Sequence, residues 1–342
     1  MSVYKLLQPE VWQSLTSTDV RLPHALLFAG PAGVGQRELA DALAARLLCE
    51  QPRESHQPAC GQCPSCQMIA TGNHPDLRLL QPDAASEGEE GEIAGENEKK
   101  KASKQIRIAQ VRDLEAFFNL GGHRDGARVC IIEPAESMNA VTANALLKIL
   151  EEPSASFYFL LISYRWRRLL PTLLSRSRRV MFGSPDPTAA SAWLEHQQLG
   201  HQSRWLAFFD HAPLEVAHAA RSGRLKALDT LITDLLKPQD PLAQAARWES
   251  LVKNDSALGM EELVTTVQKW LLDLARSIAG EKPRYLPSHE ESLRSVAQRT
   301  SLNHLVQAQQ QVQQLRAWAN HPLNPRLFLE DLSVRAFRPF NT

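Results

Sequence analysis

The chain has 342 residues, 43 % of them apolar, and its 38 basic side chains balance 38 acidic ones. This composition suits two or three globular domains and excludes a collagen-like or wholly disordered chain. No stretch approaches about 18 consecutive apolar residues, which excludes a membrane-spanning helix, and the balanced charge leaves room only for a local nucleic-acid-binding patch.

The opening residues, MSVYKLLQPEVW, lack the basic segment, apolar run and small-residue cleavage site of a secretory signal, so a cytoplasmic protein is expected. Val3, Leu6, Leu7, Val11 and Leu15 predict a helix over 3–19. The apolar run Ala25-Leu26-Leu27-Phe28-Ala29, ended by Gly30, predicts a buried strand. A glycine-rich loop, a helix over 36–48, a cysteine segment over 49–66 and a short strand over 77–80 follow. Residues 82–105 are almost devoid of apolar side chains, and their charge block turns from acidic to basic. They read as a disordered surface insertion, with a solvated charge run preferred to a docking tail.

Beyond the insertion, Ile108 leads an amphipathic helix, and ARVCIIEPAE holds a buried strand. A helix over about 138–151, stopped by Pro153, leads to a strand over 157–162, then a short helix and a strand ending at Phe182. This alternation predicts an α/β domain with a parallel sheet and crossover helices. After 182 only helices are expected: short ones to Gly223, then 224–236, 242–253, 260–279, 290–299, 301–320 and 326–337. In 301–320, Leu305, Ala308, Val312, Leu315 and Ala319 form an apolar stripe, and Ser301 is placed as N-cap. The stripe reads first as a bundle-packing face and second as a subunit seam.

Gly30, Gly33 and Gly35 lie in a loop between a strand and a helix, the context of the phosphate-binding pattern G-x-x-x-x-G-K-[ST]. Gln36 and Arg37 stand where that pattern has its lysine and hydroxyl. Arg37 brings positive charge but cannot ligate a metal ion. The strand that should end in Asp-Glu ends instead in Glu133-Pro134, and proline can neither hold magnesium nor act as a base. Three losses in one machine predict a nucleotide-hydrolysis fold that no longer hydrolyses, with no bound ATP expected; weak residual nucleotide binding stays open.

Cys60-x-x-Cys63-x-x-Cys66 with Cys49 supplies four thiols, the complement of a closed structural zinc site. An iron–sulfur cluster is the competitor, but Ala70 stands where a ferredoxin-type run has its fourth cysteine. His56 and His74 are left outside the ligand set. Cys130 reads as a small buried hydrophobe.

RLPHALLFAGPAGVG (21–35), the cysteine cluster, NHPD (73–76), NALLKILEEP (144–153) and LLSRS (173–177) occur here in the order found in the delta-prime family of bacterial DNA polymerase III clamp-loader subunits. The chain resembles that family over most of 1–182. The resemblance implies an AAA+ module with an inserted zinc module at 1–182, a helical lid at 183–223 and an all-α collar, the oligomerisation domain, at 224–342. It implies a non-hydrolysing stator in a hetero-pentamer with tau/gamma ATPase subunits and a delta subunit. Through that complex it implies contact with the sliding clamp and primer-template DNA in replication.

It also implies that Arg176, in Ser175-Arg176-Ser177, is an arginine finger aimed at a neighbour's ATP, although Ser177 stands where the family has cysteine. Ser163, and more weakly Arg221 and Arg224, fall near the family's sensor positions. In the NALLKILEEP helix, Lys148 and Glu152 form a weak i, i+4 pair. Two alternatives are weighed: an active ATPase with unusual residues, and a zinc-dependent nucleic-acid-binding protein. The latter ranks last, because the cysteine segment holds little positive charge.

Overall fold

The computed structural model describes residues 3–17, 21–51, 54–83, 103, 105–119, 126–151, 156–237, 240–253, 258–319 and 324–340. The chain divides into two compact units, Met1–Ala189 and Ala190–Thr342. Among the described residues, no helix is long and apolar enough to cross a membrane.

The first unit is built on five parallel strands in the order β2-β3-β4-β1-β5. They are β1 (Ala25–Ala29), β2 (Leu77–Leu80), β3 (Arg128–Ile132), β4 (Phe157–Ser163) and β5 (Arg178–Met181). Leu27 pairs with Leu161, and Ile131 with Leu160, so the central strands align their apolar residues across the sheet. Strands β1 and β3 are buried throughout, because crossover helices cover both faces; this is why they read as unbroken apolar runs rather than alternating ones. The edge strand β5 exposes Arg178 and Arg179, charges that discourage pairing with another sheet edge. One face of the sheet packs Leu27, Phe159 and Leu161 with Leu146 and Leu150 of helix Ala140–Glu151 and with Leu173 of helix Pro171–Arg176.

The N-terminal expectation is corrected. The helix expected over 3–19 is two helices, Val3–Leu7 and Pro9–Thr16. Pro9 has no N–H to donate to the preceding turn, and it occupies the first turn of the second helix instead. The cysteine segment ends in a helix, Pro64–Ala70, which begins at a proline, runs past Cys66, and is capped by the Cys63 sulfur accepting from the Cys66 N–H. Most of the 82–105 insertion, together with Glu152 and Pro153, lies outside the described residues.

The second unit is helical throughout its described residues, as the 3.6-residue periodicities predict. Trp248 and Trp270 are fully buried, their ring centroids 5.8 and 5.7 Å from that of Phe337. Ser301 caps helix Leu302–Arg316 by accepting from the His304 N–H, and Leu305, Ala308, Val312 and Leu315 are its buried stripe. The helix ends at Arg316 rather than at 320, so Ala319 falls beyond it. The buried Asp273 carboxylate accepts the backbone N–H groups of Arg284 (2.7 Å), Tyr285 (2.9 Å) and Leu286 (2.8 Å), which pins the chain after helix Met260–Ile278.

Lys269 lies on the same helix. Its Nζ donates to the Phe208 carbonyl at 2.5 Å and sits 4.2 Å from the centre of the Phe208 ring and 5.0 Å from that of Tyr285. Burial lowers its pKa from 10.5 to about 8. Between those values the unfolded chain holds a proton that the folded chain has released, so this lysine makes stability rise with pH across that window. Lys269→Met should abolish that rise. In urea titrations at pH 8 and 10.5, the native protein should gain roughly 2–3 kcal/mol relative to the variant.

Candidate functional site

In an open parallel sheet, ligands bind beyond the carboxyl ends of the strands. The loops leaving β1, β3 and β4 meet there, and they carry Gly30–Gly35, Glu133 and Tyr164 respectively. The glycines are used. Gly33 and Gly35 adopt φ values of 77° and 102°, and Gly35 is the left-handed residue preceding helix Gln36–Leu48. At Gly30, a Cβ would lie 2.4 Å from the Phe182 carbonyl oxygen. The obstacle is backbone in the seam between β1 and the end of β5, so it cannot rotate away. Gly30→Ala should therefore destabilise the first unit by about 1–3 kcal/mol, measured by thermal unfolding.

The side chains close this loop from three sides. Gln36 is 1 % exposed, and its Nε2 donates to the Pro31 carbonyl at 2.6 Å, folding the residue at the lysine position back onto its own loop. Gln8, from the N-terminal segment, donates to the Val34 carbonyl at 3.0 Å. Arg37 reaches across the site: its Nη1 lies 2.7 Å from Glu133 Oε2, while its Nε pairs with Asp41 at 2.9 Å. Tyr164 donates its hydroxyl to the other Glu133 oxygen. Burial, with the Glu133 charge beside it, raises the Tyr164 pKa well above its ordinary value and keeps the phenol a donor.

The charges of Arg37 and Glu133 thus satisfy each other. Arg37 in the helix after the loop and Glu133 after β3 form one ion pair, closed by Tyr164. Their sequence separation hides the pairing, and Tyr164 and Gln8 belong to no motif. The one available signal for Tyr164 was its position immediately after a predicted central strand.

Ser163 Oγ is buried with no hydrogen-bond partner among the described residues. In the second unit, Arg221 bonds Gln197 at 2.9 Å, and Arg224 pairs with Glu215 at 3.0 Å and Glu262 at 3.3 Å. Arg176 is the last residue of helix Pro171–Arg176, beside the edge strand; its guanidinium is 38 % exposed and lies 2.5 Å from Glu151 Oε1.

The cysteines converge. The Sγ atoms of Cys49, Cys60, Cys63 and Cys66 all lie within 4.8 Å of one another, and none is in a disulfide. Cys60 and Cys66 are 3.8 Å apart, the edge expected of a tetrahedron with metal–sulfur bonds of about 2.3 Å. The backbone N–H groups of Gln62 and Cys63 point at the Cys60 sulfur and draw its pKa from 9.0 down to about 6, which favours the thiolate.

Neither nearby histidine joins the cluster's ring of sulfurs. His74 Nε2 bonds Ser65 Oγ at 2.8 Å, Ser65 donates to the Leu48 carbonyl at 2.5 Å, and His74 Nδ1 accepts the Asp76 N–H at 3.1 Å. That relay ties the cysteine helix to the start of β2 and gives the NHPD sequence a physical role. His56 hydrogen-bonds helix Pro9–Thr16 through its carbonyl, which accepts from Trp12 at 2.9 Å. Cys130 is buried in β3, where burial raises its pKa.

The family model described as "DNA polymerase III, delta subunit" matches residues 7–186. The DNA polymerase III subunit delta' of Pseudomonas aeruginosa is 41 % identical over 187 residues, covering 55 % of this chain and 51 % of that protein. That of Bacillus subtilis is 33 % identical over 219 residues, covering 63 % and 60 %. The chain therefore matches only about half to three fifths of these relatives' length. Among solved structures, a DNA polymerase III gamma subunit-related protein of Thermotoga maritima is similar over 93 % of this chain and 96 % of its own, at 17 % identity and a TM-score of 0.41.

Proposed function

The chain belongs to the DNA polymerase III delta-subunit family, and from that premise we propose that it is a non-hydrolysing, delta-prime-type subunit of a clamp loader, a stator that completes a neighbour's ATPase site. It is an AAA+-type module that has exchanged fuel for rigidity. The observation that carries this reading is the Arg37–Glu133–Tyr164 network with Gln36 folded onto Pro31. A working site needs a lysine on the β and γ phosphates, a hydroxyl and a carboxylate on magnesium, and a base for water. Here a guanidinium and a carboxylate neutralise each other where phosphate and metal would have to meet.

Arg176 is the group this chain offers outward. A guanidinium supplied in trans stabilises the charge that spreads over the γ-phosphate oxygens. It sits at the end of a helix beside an exposed sheet edge, an accessible position for a neighbouring subunit.

Cys49, Cys60, Cys63 and Cys66 would hold one zinc ion, whose chemistry here is structural: four thiolates leave no open position for water or substrate. Residues 183–223 form the lid and 224–342 the collar of this reading. Its partners are tau/gamma-type ATPase subunits and a delta subunit, with the sliding clamp and primer-template DNA reached through the complex, in the cytoplasm.

Mixing the full chain with such motor subunits tests the reading. The expected result is a stable complex with DNA-stimulated ATP hydrolysis that none of the separate components supplies. Failure to assemble, or hydrolysis that ignores the presence of this chain, would refute it.

A further inference from the structure

We propose that Glu151 is the positioning residue for Arg176, holding one edge of the guanidinium so that the other is presented to an anion on a neighbouring subunit; the inference rests on the reading of Arg176 given above. The two residues end neighbouring helices. Glu151 is the last residue of helix Ala140–Glu151 and Arg176 the last of helix Pro171–Arg176. Both backbones are anchored by burial, since Leu146 and Leu150 of one helix share the core with Leu173 of the other. The charged tips emerge from that anchored base, 38 % exposed for Arg176 and 48 % for Glu151, and meet at 2.5 Å through Nη2 and Oε1.

The chemistry of arginine gives this contact its use. The guanidinium is planar and carries five N–H donors in a rigid fork. A carboxylate engaged at Nη2 orients the plane and leaves the donors of Nε and Nη1 for another anion. Nearby arginines are held differently: Arg167 and Arg179 each lie 4.5 Å from the centre of the Trp166 ring. Arg176 is set apart from them by its acidic partner.

Strength decides between a positioning device and a lock. An ion pair this exposed shifts an equilibrium by a factor of only about 1.5 to 5. That is too weak to withhold the guanidinium from a phosphate and sufficient to bias its rotamer. Glu151 therefore aids the approach instead of blocking it.

The test uses the assembled complex of the full chain with motor subunits and DNA, read by steady-state ATP turnover. Glu151→Ala should lower kcat about three- to fivefold with KM for ATP unchanged. Glu151→Gln, which keeps a neutral acceptor, should restore part of that loss. In an Arg176→Ala background, Glu151→Ala should add nothing. Unchanged or increased kcat for Glu151→Ala, or a further loss in the Arg176→Ala background, would overturn the proposal while leaving the arginine-finger reading in place. If Arg176→Ala itself has no effect, both fall together.

Discussion

Arg176→Ala should lower ATP turnover at the adjoining motor site by about 10³-fold and leave both assembly and this chain's stability essentially unchanged. The size follows from phosphoryl transfer, in which an arginine supplied in trans contributes about 10³- to 10⁵-fold to the rate. The lack of a structural effect follows from exposure: among the described residues the Arg176 guanidinium pairs with Glu151 at the surface, and such pairs contribute little to folding. Arg176→Lys should recover little, because an ammonium cannot reproduce the planar fork. The measurement is single-turnover hydrolysis in a complex whose other ATP sites are silenced. Unchanged turnover would remove Arg176 from the reaction.

The second large effect concerns the metal module. Cys63→Ser, or a strong chelator, should release about one zinc ion per chain and unfold residues 49–70. A tetrathiolate zinc site contributes on the order of 10 kcal/mol of binding free energy at neutral pH, comparable to the whole stability of an ordinary domain. Cys63 is the informative cysteine because the residue is buried and its sulfur caps helix Pro64–Ala70. The damage should spread along the Ser65–His74–Asp76 relay to β2. Hydrogen exchange should therefore show lost protection in Leu77–Leu80 as well as in the cysteine segment. A protein that binds no metal, or whose protection is unaltered by its removal, would contradict this.

What the sequence discloses and what it conceals divide along physical lines. The central strands were legible because burial on both faces writes itself as unbroken apolar runs: Ala25–Ala29, Arg128–Ile132 and Phe157–Ser163 each lie where the pattern puts them. The convergence of the four cysteines was legible because their spacing is that of a metal-ligand set. The break at Pro9 was overlooked although proline announces it, since the apolar spacing runs through it without interruption. The closure of the glycine-rich loop was only half legible. The missing lysine and hydroxyl are visible at Gln36 and Arg37, but the pairing of Arg37 with Glu133 spans 96 positions and depends on sheet order. For His74, the partner Ser65 becomes evident only when the cysteine helix folds against the start of β2.

Whether this chain's own loop is closed to nucleotide is tested most directly by titrating Mg-ATP into the purified chain in a calorimeter. With Gln36 bonded to Pro31 and Arg37 bonded to Glu133, no saturable heat should appear up to about 1 mM ATP, a Kd equivalent to only about 4 kcal/mol of binding free energy. A stoichiometric isotherm in the micromolar range, weakened by Gln36→Ala, would show that the loop still holds its phosphates.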